Sequence, residues 1–458
     1  MGRRAISGFR AFVVIWFGQL VSLTGSGLTA FALGVWVYLN TGSTTLFALI
    51  QLVSALPALL IGPLAGALVD RWDRRHAMIF SDAGAAACTL AMVLLLAAGR
   101  LEMWHIYLLL GLSACFAAFQ WPAYSSATTL MVPPAQYARA SGMVQMAQAV
   151  AETIAPAVAG ALLGTLMIHG VMAVDLATFC VALVTLLLVR VPAVAREVAP
   201  EGERTSLLSE VAYGWRYIRE RRGLFALLAL FAVLSFTTGI TAVLYTPLML
   251  GLTTPAVLGL VTSIAGLGLL ASSLLMSTWG GPRRRIVGVF AAEIVLGVAV
   301  MAMGLSVNPV VLGASLFLAY LTIPVVNACS QAIWQVKTAP EVQGRVFSFR
   351  RVIAGAMTPL AFVLAGPLAD GVFNPLLAEG GAWASGIGQL VGVGAGRGIG
   401  ALNLILGIIT IAATLVAMAY RPLRQVESDL PDALPAPAAG SAEEEAPPPV
   451  GGAALATD

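Results

Sequence analysis

Apolar residues run in stretches longer than a soluble helix needs, and short polar clusters interrupt them at regular intervals. Stretches of roughly 20 residues or more, enough for a helix to cross a hydrocarbon core of about 30 Å, occupy positions 11–39, 44–69, 77–98, 104–131, 136–167 and 170–190. A polar segment from Pro192 to Arg222 follows, and six further stretches cover 223–251, 255–279, 286–306, 309–337, 346–373 and 398–420. The pattern predicts an all-α membrane protein of twelve spans: a first half over 1–191, a linker over 192–222, a second half over 223–421 and a tail over 422–458. A signal peptide after Arg3 and Arg4 is the alternative for the first stretch, but its apolar region is too long and lacks a small-residue cleavage site.

Composition makes lipid the solvent for most side chains. Charged residues are 10% of the chain, against about 25% in a soluble domain, and apolar types are 59%. A net charge of +3, with arginines in short clusters and not along one face, excludes a nucleic-acid partner. Their placement sets orientation, because loops on the cytoplasmic side keep positive charge. Of the 25 cationic residues, 23 fall in one alternate set of loops and only Arg100 and Arg397 in the other. Both termini and the linker are therefore expected in the cytoplasm, with the chain in the inner (cytoplasmic) membrane and an even number of spans. Cys88, Cys115, Cys180 and Cys329 stand alone in apolar runs, without metal or redox spacing, and read as packing residues.

The tail, with its Pro-Ala-Gly run and Glu443, Glu444 and Glu445, is too polar to fold and is expected to be disordered. The glycine-rich stretch from Gly380 to Gly400 reads as a mobile outer loop with Trp383 at the interface. Six spans, a linker and six spans suggest a duplicated unit with its binding site between the halves. Weak echoes agree: Gln120-Trp121-Pro122 in span four against Ile323-Pro324 in span ten, and Asp82 after Arg75 against Glu293 after Arg285.

Between spans two and three lies Gly62-Pro63-Leu64-Ala65-Gly66-Ala67-Leu68-Val69-Asp70-Arg71-Trp72-Asp73-Arg74-Arg75. Gly62 and Gly66, one turn apart, allow another helix close, and Asp70 places an anion at the membrane edge. This loop resembles the signature loop of the major facilitator superfamily. The resemblance implies two six-helix bundles related by pseudo-symmetry and alternating access, with Asp70, Arg71, Arg74 and Arg75 latching the halves together at the cytoplasmic side. The family usually has glycine where this chain has Asp73, a residue that tolerates left-handed turns. An ordinary basic loop is the alternative. The first span, with Trp16-Phe17-Gly18-Gln19-Leu20-Val21-Ser22, and span eleven, with Gly344-Arg345-Val346-Phe347-Ser348 and Gly366-Pro367-Leu368-Ala369-Asp370, resemble the macrolide-efflux-like and enterobactin-exporter-like branch. That resemblance, and not composition, supplies the direction: export of small amphipathic molecules of drug, macrolide or siderophore type.

A charge inside hydrocarbon costs about 2.5–3.5 kcal/mol on insertion scales and persists at interior-facing positions. In span five, Ser141, Gln145, Gln148 and Glu152 fall on one stripe, which makes Glu152 the candidate proton carrier. Pro156 and Gly160 beside it resemble, in degenerate form, a motif of the superfamily's exporters. On the helices that line the cavity in this superfamily, the candidate contacts are Gln19, Ser22 and Ser26 with Thr29; Gln120 and Tyr124 with Ser113; Thr237, Thr241 and Tyr245; and Asn327, Gln331 and Trp334. For each, interhelical hydrogen bonding is the competing role. Asp82 and Glu293 are expected in structural pairing, and Asp175 and Asp370 near the outer face in structural or gating roles. Proton antiport is a family expectation, although span four lacks the arginine that many superfamily antiporters carry. His76, His105 and His169 lie near membrane boundaries, away from any nucleophile or metal spacing, and there is no Walker-type loop. The chain is expected to be no enzyme and to need no cofactor or metal. Its expected partners are a small-molecule substrate, protons and the lipid bilayer, and it is expected to be a monomer. A nutrient importer of the same fold and a non-transporting membrane sensor remain as alternatives.

Overall fold

A computed structural model describes residues 8–69, 72–189, 207–394 and 396–433. The fold is almost entirely helical. The first half comprises α1 (Phe9–Thr41), α2 (Thr44–Val69), α3 (Arg74–Ala97), α4 (Met103–Met131), α5 (Tyr137–Thr165) and α6 (Met167–Leu188). The linker contributes α7 (Leu207–Glu220). The second half comprises α8 (Arg222–Leu250), α9 (Pro255–Trp279), α10 (Arg285–Leu305), α11 (Pro309–Lys337) and α12 (Pro340–Pro367), then the short α13 (Asn374–Leu376) and α14 (Gly388–Val391), and α15 (Arg397–Ala419). The turns α16 (Arg421–Arg424) and α17 (Val426–Asp429) close the described chain. Twelve helices are long and apolar enough to span a membrane: α1–α6, α8–α12 and α15. Their outward faces keep large apolar side chains exposed, Leu64, Leu274, Val310 and Val416 among them, which suits lipid and not water.

Local chemistry starts and stops these helices. Asp73 accepts from His76 N at 3.0 Å and caps α3. Its backbone is extended, with φ of −66°, so the residue in the usual glycine position serves as an N-cap and not as a left-handed turn. Asn308 accepts from Val310 N at 2.9 Å ahead of Pro309, the arrangement that favours a helix start. At the end of α1, Gly42 adopts φ of 64°, which costs a residue without Cβ little.

Within the first half α1 packs on α5 and α6, and α4 packs on α2 and α3; within the second, α8 packs on α12 and α15, and α10 on α11 and α15. The halves meet chiefly through two helix pairs, α2 with α12 and α5 with α9, with lesser contacts of α1 and α2 on α8. Exchanging the halves maps span two onto span eight and span five onto span eleven, so each pair maps onto the other. That relation is the signature of a pseudo-twofold duplication.

Backbones of the two halves come closest at one end of the bundle, opposite the end holding the arginine clusters. At this far end a Cβ added to Gly160 would stand 2.5 Å from Pro255 O, one on Gly259 2.1 Å from Pro156 O, and one on Gly366 2.3 Å from Thr45 Cα. Towards the basic end the pair α2 and α12 diverges. A Cβ on Gly355 would meet Leu59 at 3.4 Å, and nothing lies within 4 Å of one on Gly62 or Gly66. The close helix approach expected at those two glycines is thus absent in this conformation, because the cleft is open where they stand.

Three segments outside the spans are more ordered than their composition suggests. α7 lies along α12, with Gly214 against Arg345 and Phe349 and with Ile218 buried. The Gly380–Gly400 stretch is built, not loose: Leu377 and Val391 are buried, Trp383 packs on Phe373, and the Arg397 guanidinium donates to the carbonyls of Val391, Gly304 and Ser306. The start of the tail also docks. Glu427 accepts from Arg285 N and Ile286 N, each at 3.0 Å, and so caps α10. Buried Lys337 donates to the carbonyls of Glu427 and Leu430 and to Asp432. Residues 434–458 lie outside the described chain.

Candidate functional site

The open cleft exposes the polar stripe of α5. Ser141, Gln145 and Glu152 are exposed and Gln148 is half-buried. Ser141 and Gln145 line a cavity of about 250 Å³ together with Trp121 and Tyr124 of α4. One turn beyond Gln148, Glu152 has no hydrogen-bond partner among the described residues. Further along α5, Pro156 and Gly160 belong to the tight contact with α9, where Ala157 N donates to Ser263 Oγ at 3.0 Å. Glu152 therefore stands at the floor of the cleft, just before the halves close.

Other polar residues of the first half face inward to one another instead of to the cleft. Gln19 Nε2 donates to Asp82 Oδ2 at 3.0 Å, and Gln120 Nε2 donates to Gln19 Oε1 at 2.8 Å. A carboxylate buried in an apolar bundle is tolerable only with donors around it, and α1 and α4 supply amides to α3 for that purpose. Gln19 and Gln120 are consequently committed to Asp82 and not free for a ligand in this conformation. Ser26 Oγ donates to Asp175 Oδ1 at 3.4 Å, with Thr29, Thr89 and Thr178 around the same carboxylate. Ser22 is buried within the half.

In the second half the expected contacts divide. Thr241 and Tyr245 of α8 line a cavity beside Tyr320, whereas Thr237 is engaged with Thr410 of α15 at 3.2 Å. On α11, Asn327 is exposed. Gln331 accepts from Arg350 Nη1 at 3.0 Å, and Ser330 Oγ lies 3.2 Å from Arg350 Nη2. Trp334 is 1% exposed and packs in the apolar core at the basic end, below the Arg350 guanidinium. It fills that core and does not line the cleft, because residues of α7, α8, α10, α12 and the segment after α15 pack into the same cluster. Glu293 is 3% exposed, and its Oε2 has no partner among the described residues, so the pairing expected for it is absent.

Of the signature loop, Asp73, Arg74 and Arg75 lie among the described residues. Arg75 donates to the carbonyls of Leu186 and Leu187 at 2.8 and 3.0 Å, which ties α3 to α6 inside its own half. Arg74 Nε is buried and has no hydrogen-bond partner among the described residues. Asp70 and Arg71 lie outside the described residues. A clear latch between the halves stands at the far end. Asp370, in the wide turn after α12, accepts through Oδ2 from Thr45 N at 2.8 Å, Thr45 Oγ1 at 2.9 Å and Ser43 Oγ at 3.0 Å. Sequence reasoning assigned Asp370 to the outer face. Its partners could not be read, because they sit more than 300 positions away.

Comparison with known proteins agrees with this geometry. The sequence profile described as Major Facilitator Superfamily matches residues 15–362. The chain is 28% identical to "Macrolide efflux protein A" of Streptococcus pyogenes over 366 residues, covering 78% of this chain and 89% of that protein. It is 26% identical to "Multidrug efflux pump Tap" of Mycolicibacterium fortuitum over 369 residues, covering 78% and 89%. Among solved structures, it is similar to an inward-facing, unoccupied bacterial homolog of the human lysosomal transporter Spinster. The TM-score is 0.70 at 15% identity, with 94% of this chain and 99% of the other covered.

Proposed function

The chain belongs to the major facilitator superfamily of membrane transporters, and from that premise we propose that it exports small amphipathic molecules of drug or macrolide type by alternating access. The basic end is the cytoplasmic end, as the positive-inside rule requires, and the described conformation is inward-facing. The observation that carries the reading is the asymmetry of the interface: far-end backbones in van der Waals contact at Gly160 and Gly259, open space beside Gly62 and Gly66. A cleft sealed at one end and open at the other is one half of a transport cycle. Similarity to two efflux proteins supports the outward direction.

Coupling to protons is the finer part of the proposal. Glu152 is an exposed acid on the α5 stripe, one turn before the tight contact of α5 with α9. It exchanges a proton as the cleft changes sides, and Asp82 and Asp175, held by neighbours within their half, keep the helices in register. The halves work within a single chain.

The experiment is macrolide flux in proteoliposomes with an imposed pH gradient. Gradient-driven flux is expected from the native protein, and flux without its pH dependence from Glu152→Gln. No flux of any tested amphiphile would sink the transport reading, and unchanged coupling in Glu152→Gln would remove the proton assignment.

A further inference from the structure

At the apex of the cleft, in the far half of the second bundle, α8, α9, α10 and α11 enclose a cavity of about 150 Å³. Phe31 of α1 closes it from the other half, and Met303 and Leu316 supply apolar wall. Six hydroxyls break that apolar lining, those of Thr238, Thr241, Tyr245, Thr246, Thr262 and Tyr320. Two of them, Thr241 at 7% exposure and Tyr245 at 5%, are buried without a hydrogen-bond partner among the described residues.

Both residues sit on α8 one turn apart, so their side chains share a face. Most membrane-helix threonines escape an unmet donor by bonding to a carbonyl one turn back. In this protein Thr237 and Thr262 do so, to Leu234 O and Leu258 O. Thr241 does not, and the Tyr245 hydroxyl is too far from its own backbone to do so. A buried polar group without a partner is unfavourable and uncommon in native proteins. Two of them converging on one cavity mark the place of an absent acceptor.

We propose that this cavity is a ligand subsite for an apolar, aromatic or branched group carrying a carbonyl or ether oxygen, which accepts hydrogen bonds from Thr241 and Tyr245. The inference rests on the transport reading and gives the substrate an orientation. Its apolar, acceptor-bearing end enters the second half at the apex. Its polar end lies past Tyr320, towards Glu152 and the α5 stripe. The subsite thus selects for an oxygen embedded in apolar surface, and a plain hydrocarbon of the same shape leaves both hydroxyls unmet.

Benzophenone is a suitable probe, since it is an apolar ketone that labels nearby C–H bonds under light; diphenylmethane has the same shape without the acceptor. Binding of both is measured on the full chain in lipid nanodiscs, and the site of benzophenone labelling is mapped by mass spectrometry. Labelling is expected at Met303 or on α8 and α11. Thr241→Val with Tyr245→Phe is expected to lower benzophenone affinity about tenfold and leave diphenylmethane unchanged. Tyr245→Phe alone serves if the double variant melts early, with a smaller loss expected. Labelling only outside this cavity, or an unchanged preference for the ketone in the variants, overturns the subsite. Because binding is read without flux, ketone discrimination without export in proteoliposomes sinks the transport reading alone, and export without discrimination sinks the subsite alone.

Discussion

Asp370 of the second half caps the first turn of α2 in the first half, with its Oδ2 2.8 Å from Thr45 N and 2.9 Å from Thr45 Oγ1. A carboxylate at a helix N-terminus gains from the helix dipole and from charge-assisted hydrogen bonds. The bond joins two bodies that must separate when the far end opens, so it weights the conformational equilibrium as well as the fold.

Asp370→Ala removes the acceptor and is expected to shift the population towards the far-end-open state by about 1.5–3 kcal/mol. Spin labels on α1 and α14 at the far end should report a longer distance by electron resonance. An unchanged distance distribution would show that the latch carries no conformational weight.

Gly160 and Gly259 allow α5 and α9 to touch backbone to backbone. Gly160→Ala forces a methyl group against Pro255, and the helices must part at that end. With cysteines placed at Ala157 and Ser263, whose N and Oγ are 3.0 Å apart, cross-linking yield is expected to fall severalfold in the alanine variant. Equal yield would mean that the contact tolerates the methyl group.

Gln19→Leu leaves Asp82 without its amide donor at 3.0 Å. An unmatched buried carboxylate costs about 1–3 kcal/mol or more, so the melting temperature in detergent is expected to drop. Asp82→Asn, which removes the charge, is expected to cost less. If both variants melt alike, the network adds little.

Glu427→Ala deprives the first turn of α10 of its cap, which two bonds of 3.0 Å now provide. The expected loss is about 0.5–2 kcal/mol, read by thermal denaturation. Faster hydrogen exchange at Arg285 and Ile286 would locate the effect, and unaltered exchange there would contradict it.

Much of the architecture was legible because membrane physics leaves few choices. Apolar length sets the spans, arginine placement pairs the loops, and six spans on each side of a polar linker imply duplication. The α5 stripe was legible for a similar reason, since Gln145, Gln148 and Glu152 share a face by helical period alone. Contacts across helices were not. Nothing in the spacing of Gln19, Asp82 and Gln120 says that three helices bring them together. Trp334 shares a face with Asn327 and Gln331, but its end of α11 is buried in a core built from residues far apart in the chain, which periodicity cannot register. For Gly62 and Gly66 the obstacle is conformational: one sequence serves both states of the cleft, and their open surroundings belong to one of them.

Lys337 and Glu427 bring the ends of α10 and α11 together through a segment that follows the last span. That segment leaves the ribosome after every span of the second half. Until it arrives, the first amides of α10 lack their acceptor and the Lys337 ammonium has none of the three oxygens it later holds. The second half is thus inserted before it is fastened, and its final rigidity waits for the segment from Glu427 to Asp432. A chain interrupted just after α15 would carry every membrane helix and still be a half-tied bundle, the kind of product a membrane protease can recognise.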